Sequence, residues 1–177
     1  MALSFEPLAL PGLVLVTSAA ATDERGAFAR SWCRDEFAAA GLDFTPCQLS
    51  LSENHARHTL RGMHWQVAPG EEVKLVRCIR GAVHDVILDL RPASANYGRH
   101  VGVELSAGNR RALLVPRGCA HGFLTLTEDA VVEYMMDVPF APGCGRGLRW
   151  NDPAFGLQWP APPAVISARD AGWPDHG

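Results

Sequence analysis

The residues best suited to moving protons are a histidine, a tyrosine and a lysine on separate apolar runs. His64 sits in Gly62-Met63-His64-Trp65-Gln66, Tyr134 precedes Met135-Met136, and Lys74 precedes Leu75-Val76. Strand alternation puts His64 on one face with Leu60, Gly62 and Gln66, and Tyr134 on one face with Val132 and Met136. If both faces point inward, an imidazole and a phenol reach one pocket from different strands. Such a pair can take a proton from one side of a carbon and return it from the other. Lys74 is the single lysine among 16 basic residues, the rest being arginine. What arginine does not supply is a compact ammonium beside a developing oxyanion. The plainer alternatives are that His64 and His121 are hydrogen-bonded core or rim residues, and that Tyr134 packs its ring and satisfies its hydroxyl locally.

The elements that must position these groups are many short β-rich runs separated by Gly, Pro, Asn and Asp. Strands are expected at residues 13–16, 28–32, 48–52, 60–66, 73–80, 83–90, 100–105, 111–115, 122–127 and 130–137. One short helix is expected over 35–40, stopped by Gly41. From Asn151 onward the chain is Pro-rich and carries Trp159 and Trp173, with Trp150 just before it, and reads as an irregular cover over a barrel. Ten short strands with little helix predict an all-β, double-sheeted jelly roll of the cupin type, the double-stranded β-helix. The segment Pro116-Arg117-Gly118-Cys119-Ala120-His121 reads PxGxxH, a turn-then-strand element of such barrels. A metal-binding barrel of this kind would offer HxH, and here the second position is Gln66. Glu71, Glu72 and His121 could complete only a weak N,O site with His64, so proton chemistry without a metal is the expectation.

With 177 residues, 47% of them hydrophobic, the chain fits a single jelly-roll domain over 1–177. Its net charge of -3 gives no general attraction to nucleic acid or to anionic membranes. The five scattered cysteines contain no CxxC pair, which argues against a disulfide framework or a zinc knuckle and fits a cytoplasmic location. The apolar stretch Leu8 to Val16 is broken by Pro11 and preceded by Glu6 rather than by basic residues, so it is not read as a secretory signal. No run is long enough to span a bilayer. His55, His58, His84, His100 and His176 have no persuasive partner and carry no expected role.

Several stretches taken together resemble the dTDP-4-dehydrorhamnose 3,5-epimerases over nearly the whole chain. They are Asp23-Glu24-Arg25-Gly26, Leu60 to Gln66, Lys74-Leu75-Val76, Asp85 through Arg91, Pro116 to Phe123, Glu133-Tyr134, Trp150 to Pro153 and Ser167 to Asp170. The resemblance implies a homodimer that binds a dTDP-linked 4-keto-6-deoxy hexose and inverts C3, C5 or both without a cofactor. It implies His64 as general base, Asp170 as the carboxylate orienting it, Tyr134 as the acid on the opposite face, and Lys74 near the 4-keto oxygen. Arg25 and Arg61 would hold the diphosphate. Phe28, Gln48, His121 and Arg169 would surround the nucleotide and sugar.

The sequence departs from the family pattern around the substrate. Arg30 stands where many members carry Glu, Ser50 replaces Asn, Phe140 stands in place of Tyr, Gly145 replaces Glu, and Arg169 replaces Lys. A charge reversal at Arg30 is expected to alter contacts to sugar or nucleotide. One geometric conflict also arises. Arg61 and His64 are three apart, so a regular strand would aim them at opposite faces, unless a bulge at Gly62 or a diphosphate site at the barrel mouth reconciles them.

Overall fold

The computed structural model describes residues 2–176. Short apolar runs pair into two antiparallel sheets, which form the two walls of a jelly roll. The first wall orders β1 (Leu3–Pro7), β2 (Val14–Ser18), β10 (Arg111–Val115), β7 (Lys74–Arg80), β12 (Ala130–Met136) and β5 (Gln48–Asn54). The second orders β13 (Gly145–Gly147), β6 (Thr59–Gln66), β11 (Cys119–Thr125), β8 (Ala82–Asp89) and β9 (His100–Ser106). The short β14 (Val165–Ile166) runs parallel beside β6. A hairpin of β3 (Ala20–Asp23) and β4 (Gly26–Ala29) stands apart from both walls.

Period-two alternation sends Val76, Cys78, Val132, Leu113 and Val115 inward from the first wall, and Val83, Ile87, Leu105 and Phe123 inward from the second. Each such fully buried aliphatic or aromatic side chain stabilises the fold by about 1.5–3 kcal/mol. Two further apolar clusters lie outside the sandwich. One packs α1 (Arg34–Ala39) against the first wall through Phe37, Leu75, Leu114 and Met135. The other seats Leu157 and Trp159 of the C-terminal segment on Met63, Val86 and Leu88 of the second wall. The expected cover is therefore present, but it is not wholly irregular, because β14 and α2 (Ala168–Ala171) lie within it.

Two other expectations need correction. The strand expected over 28–32 ends at Ala29, because Arg30 turns to an ion pair with Glu36 and Trp32 packs into the cluster around α1. The other concerns the face of His64. In β6, Arg61 lies opposite Phe123 and His64 opposite His121, so Gly62 and Met63 together face the single Gly122. This bulge puts Arg61 on the inward face with His64 and sends Leu60, opposite Leu124, to the other side. The sequence conflict between Arg61 and His64 is thus resolved at Gly62. Only glycine fits there: its φ is +117°, and a Cβ would lie 2.6 Å from the Gly122 Cα.

Candidate active site

The inner face carries polar side chains at one end of the sandwich. Registers across the first wall place Val76, Tyr134 and Ser50 in one row and Lys74, Met136 and Gln48 in the next. The second wall supplies His64 and Gln66 from β6. Between them lies a cavity of about 350 Å³, lined by all of these except Val76 and by Phe140, Gly145, Arg146 and Arg169.

His64 is held from behind by a chain of local interactions. Parallel pairing of β14 with β6, Ile166 beside Leu60, delivers α2 to the back of the base strand. The Ser167 hydroxyl caps that turn by accepting from the Asp170 amide at 3.0 Å. Asp170 Oδ2 accepts from the Gly62 N–H at 3.2 Å, and its Oδ1 lies 2.7 Å from His64 Nε2. Burial opposes the Asp170 charge, but the hydrogen bond and charge of His64, with the Gly62 N–H, outweigh it and hold the carboxyl below the ordinary carboxylate range. An ionised carboxylate only accepts, so Nε2 carries the hydrogen and Nδ1 is the basic nitrogen of the ring.

Tyr134 faces His64 from the other wall. Burial, reinforced by the negative charge of Asp85, pushes its phenol well above the ordinary tyrosine range, so the hydroxyl keeps its proton. His121 lies behind the pair, 4% exposed, its Nε2 2.8 Å from Asp85 Oδ2 and its ring edge-on to Tyr134 at 5.8 Å between centroids. Lys74 is also buried. Its Nζ lies 2.8 Å from Glu72 Oε1, while Glu72 Oε2 accepts from Gln66 Nε2 at 2.8 Å.

The structure therefore brings together His64, Asp170, Tyr134 and Lys74, with Gln48, Ser50, Phe140 and Arg169 around the same cavity. Gln48 Oε1 accepts from the Phe140 amide at 3.0 Å, and the Arg169 guanidinium stacks on Trp173 at 5.2 Å. Arg61 donates to Asn54 Oδ1 at 2.7 Å and does not line the cavity, nor does the buried His121. Arg25 and Phe28 are on the exposed β3–β4 hairpin, where Arg25 pairs with Asp23. Arg30 lines a separate cavity of about 200 Å³. Within the chain its charge is paired with Glu36. Gly145, in contrast, opens the cavity wall, since a Cβ there would meet nothing within 4 Å.

Sequence reasoning missed three partners: Glu72 for Lys74, Asp85 for His121, and Glu36 for Arg30. The second had a signal. Asp85 lies midway between the inward-facing Val83 and Ile87 of β8, so alternation aims it at the interior, and Glu72 is two residues before Lys74, just ahead of β7. Among the described residues no group of three or more His, Cys, Asp or Glu side chains is placed to hold a metal ion.

Comparison with known proteins points to one family. The family model for dTDP-4-dehydrorhamnose 3,5-epimerase matches residues 7–176. The dTDP-4-dehydrorhamnose 3,5-epimerase of Sinorhizobium fredii is 39% identical over 175 residues, spanning 96% of this chain and 88% of that protein. The crystal structure of the Bacillus anthracis dTDP-4-dehydrorhamnose 3,5-epimerase, with TDP and PPi bound, superposes with a TM-score of 0.96 at 32% identity, covering 99% of this chain and all of that one. A 3'-monoepimerase from Streptomyces bikiniensis in complex with dTDP-quinovose is similar as well, with a TM-score of 0.90 at 31% identity over 96% of this chain and 86% of that one.

Proposed function

The chain belongs to the dTDP-4-dehydrorhamnose 3,5-epimerase family, and from that premise we propose how its cavity performs the reaction. The chain is an epimerase of a dTDP-linked 4-keto-6-deoxy sugar, acting at C3, C5 or both. One observation carries the assignment of roles: a base and a protonated acid face one cavity from opposite walls, and a buried ammonium lines the same cavity.

His64 Nδ1 takes the proton from a carbon next to the ketone. The C–H electron pair forms the carbon–carbon double bond of the enolate, and the carbonyl π pair moves onto the 4-oxygen beside the Lys74 ammonium. Tyr134 then gives its hydroxyl proton to the opposite face of that carbon, and the enolate collapses back to the ketone. The centre is inverted with one proton removed and one returned. Asp170 keeps the imidazole in the required tautomer and stabilises the imidazolium. Exchange with water resets His64 and Tyr134.

The diphosphate needs cations that the cavity of one chain holds only partly. Arg25 and Phe28 project on a hairpin, Phe28 being 69% exposed, and the outer face of β5 exposes Leu49 and Leu51. These features support a homodimer in which each hairpin brings Arg25 and Phe28 to the partner's cavity, while Gln48 and Arg169 serve from the home chain. Nothing among the described residues is a helix long and apolar enough to cross a membrane, and all five cysteines are unpaired. The unpaired cysteines are in keeping with a cytoplasmic enzyme, which we read as one domain over 1–177.

Tyr134→Phe separates the two half-reactions. In D2O the variant is expected to keep exchanging hydrogen at C3 or C5, because His64 still abstracts, while net inversion falls by about two orders of magnitude. Mass spectrometry and NMR of the sugar nucleotide read both. Equal loss of exchange and inversion would remove Tyr134 from the acid role.

A further inference from the structure

The ammonium beside the enolate sits on a flexible four-carbon stem, and its value depends on where that stem is held. Lys74 is 8% exposed, and its Nζ is bound by Glu72 Oε1 at 2.8 Å. The second Glu72 oxygen, Oε2, accepts from Gln66 Nε2 at 2.8 Å. Because a carboxylate only accepts, the Gln66 amide must point its NH2 at Glu72, which leaves Gln66 Oε1 buried without a protein partner. Gln66 is two residues beyond His64 on β6, and Lys74 opens β7 in the other wall. The chain Gln66–Glu72–Lys74 therefore ties the strand of the base to the strand of the cation across the mouth of the cavity. The two guanidinium groups lining the same cavity are engaged elsewhere, Arg146 on the Gly143 and Gly145 carbonyls and Arg169 on Trp173.

We propose that Glu72 is a positioning residue for the epimerisation, fixing the Lys74 ammonium relative to His64 by bridging it to Gln66. The proposal rests on Lys74 serving the enolate oxygen. Glu72 also lines the cavity, but its two oxygens are taken up by Lys74 and Gln66, so its effect passes through Lys74. Gln66, standing where a metal-binding barrel would carry its second histidine, is here the anchor of that bridge.

Glu72→Ala frees the stem, and misplacing a catalytic group by about 1 Å costs up to about 100-fold in rate. Turnover is expected to fall about 10- to 100-fold with KM for the sugar nucleotide changed less than about threefold. Glu72→Gln, which can still accept from Lys74, is expected to recover to within about threefold of wild type. In a Lys74→Met background, Glu72→Ala should cost nothing further, since coupled residues are not additive. Should Glu72→Ala fail to fold, Glu72→Asp keeps the charge but is one methylene too short for both partners, and it is expected to lose about tenfold in turnover. Wild-type turnover in Glu72→Ala or Glu72→Asp, no recovery in Glu72→Gln, or multiplied losses in the double variant would each overturn the proposal. If Lys74→Met alone turned over normally, the failure would lie instead in the role given to Lys74.

Discussion

His64→Ala is expected to lower turnover by roughly two to four orders of magnitude, the usual scale of general-base removal. The base has no substitute nearby. Asp170 is held behind the ring by the Gly62 N–H and the Ser167 cap, and Tyr134 retains its proton. KM should change little, because abstraction is a transition-state interaction and the nucleotide is bound by other groups. Exchange of substrate hydrogen in D2O should disappear together with inversion, unlike in Tyr134→Phe. The variant also leaves Asp170, 4% exposed, with a single remaining side-chain acceptor contact, so a loss of about 1–3 kcal/mol in stability is expected. Steady-state assay well below the melting temperature separates the two effects. Turnover within tenfold of wild type in folded protein would refute the assignment.

Lys74→Met should cost about 100- to 1000-fold in turnover, the range for removing one preorganised oxyanion partner. Methionine keeps most of the stem's apolar packing and removes the charge. The loss differs in kind from that in Tyr134→Phe. Because the enolate itself is destabilised, exchange and inversion should fall in parallel. Lys74→Arg should not restore the rate, since a planar fork does not occupy the position of a point-like ammonium already engaged by Glu72. The measurement is kcat and deuterium uptake on the same samples. A Lys74→Met enzyme within fivefold of wild type would place oxyanion stabilisation elsewhere.

The part of the site that a period of two describes was legible in the sequence. Tyr134, Val132 and Met136 do share the inward face, and Lys74, Val76 and Cys78 line up beside them on β7. Alternation failed where the backbone departs from it. At Gly62 the bulge moves Leu60 off the face of His64 and puts Arg61 on it, and a bulge is a three-dimensional accommodation to Gly122 that a one-dimensional pattern does not encode. The hairpin of β3 and β4 was half missed for a different reason. Its residues are mostly exposed, so burial imposes no apolar spacing on them. α2 escaped because four residues are too few for a helical period, although Ser167 three before Asp170 is a capping signal. Resemblance to a family supplied the expected roles of Asp170, Arg25 and Arg169, which no spacing argument reached. Family patterns in turn did not show that Glu36 neutralises Arg30, because that pairing belongs to this chain's own residues.

The most direct test of the account is to incubate the wild-type enzyme with dTDP-4-keto-6-deoxyglucose in D2O and locate deuterium in the recovered sugar nucleotide. Proton transfer through an enolate predicts deuterium at the carbons next to the ketone, at both C3 and C5 for a double epimerase and at one of them for a monoepimerase. Recovery of sugar nucleotide free of carbon-bound deuterium from folded enzyme would contradict the enolate mechanism on this substrate.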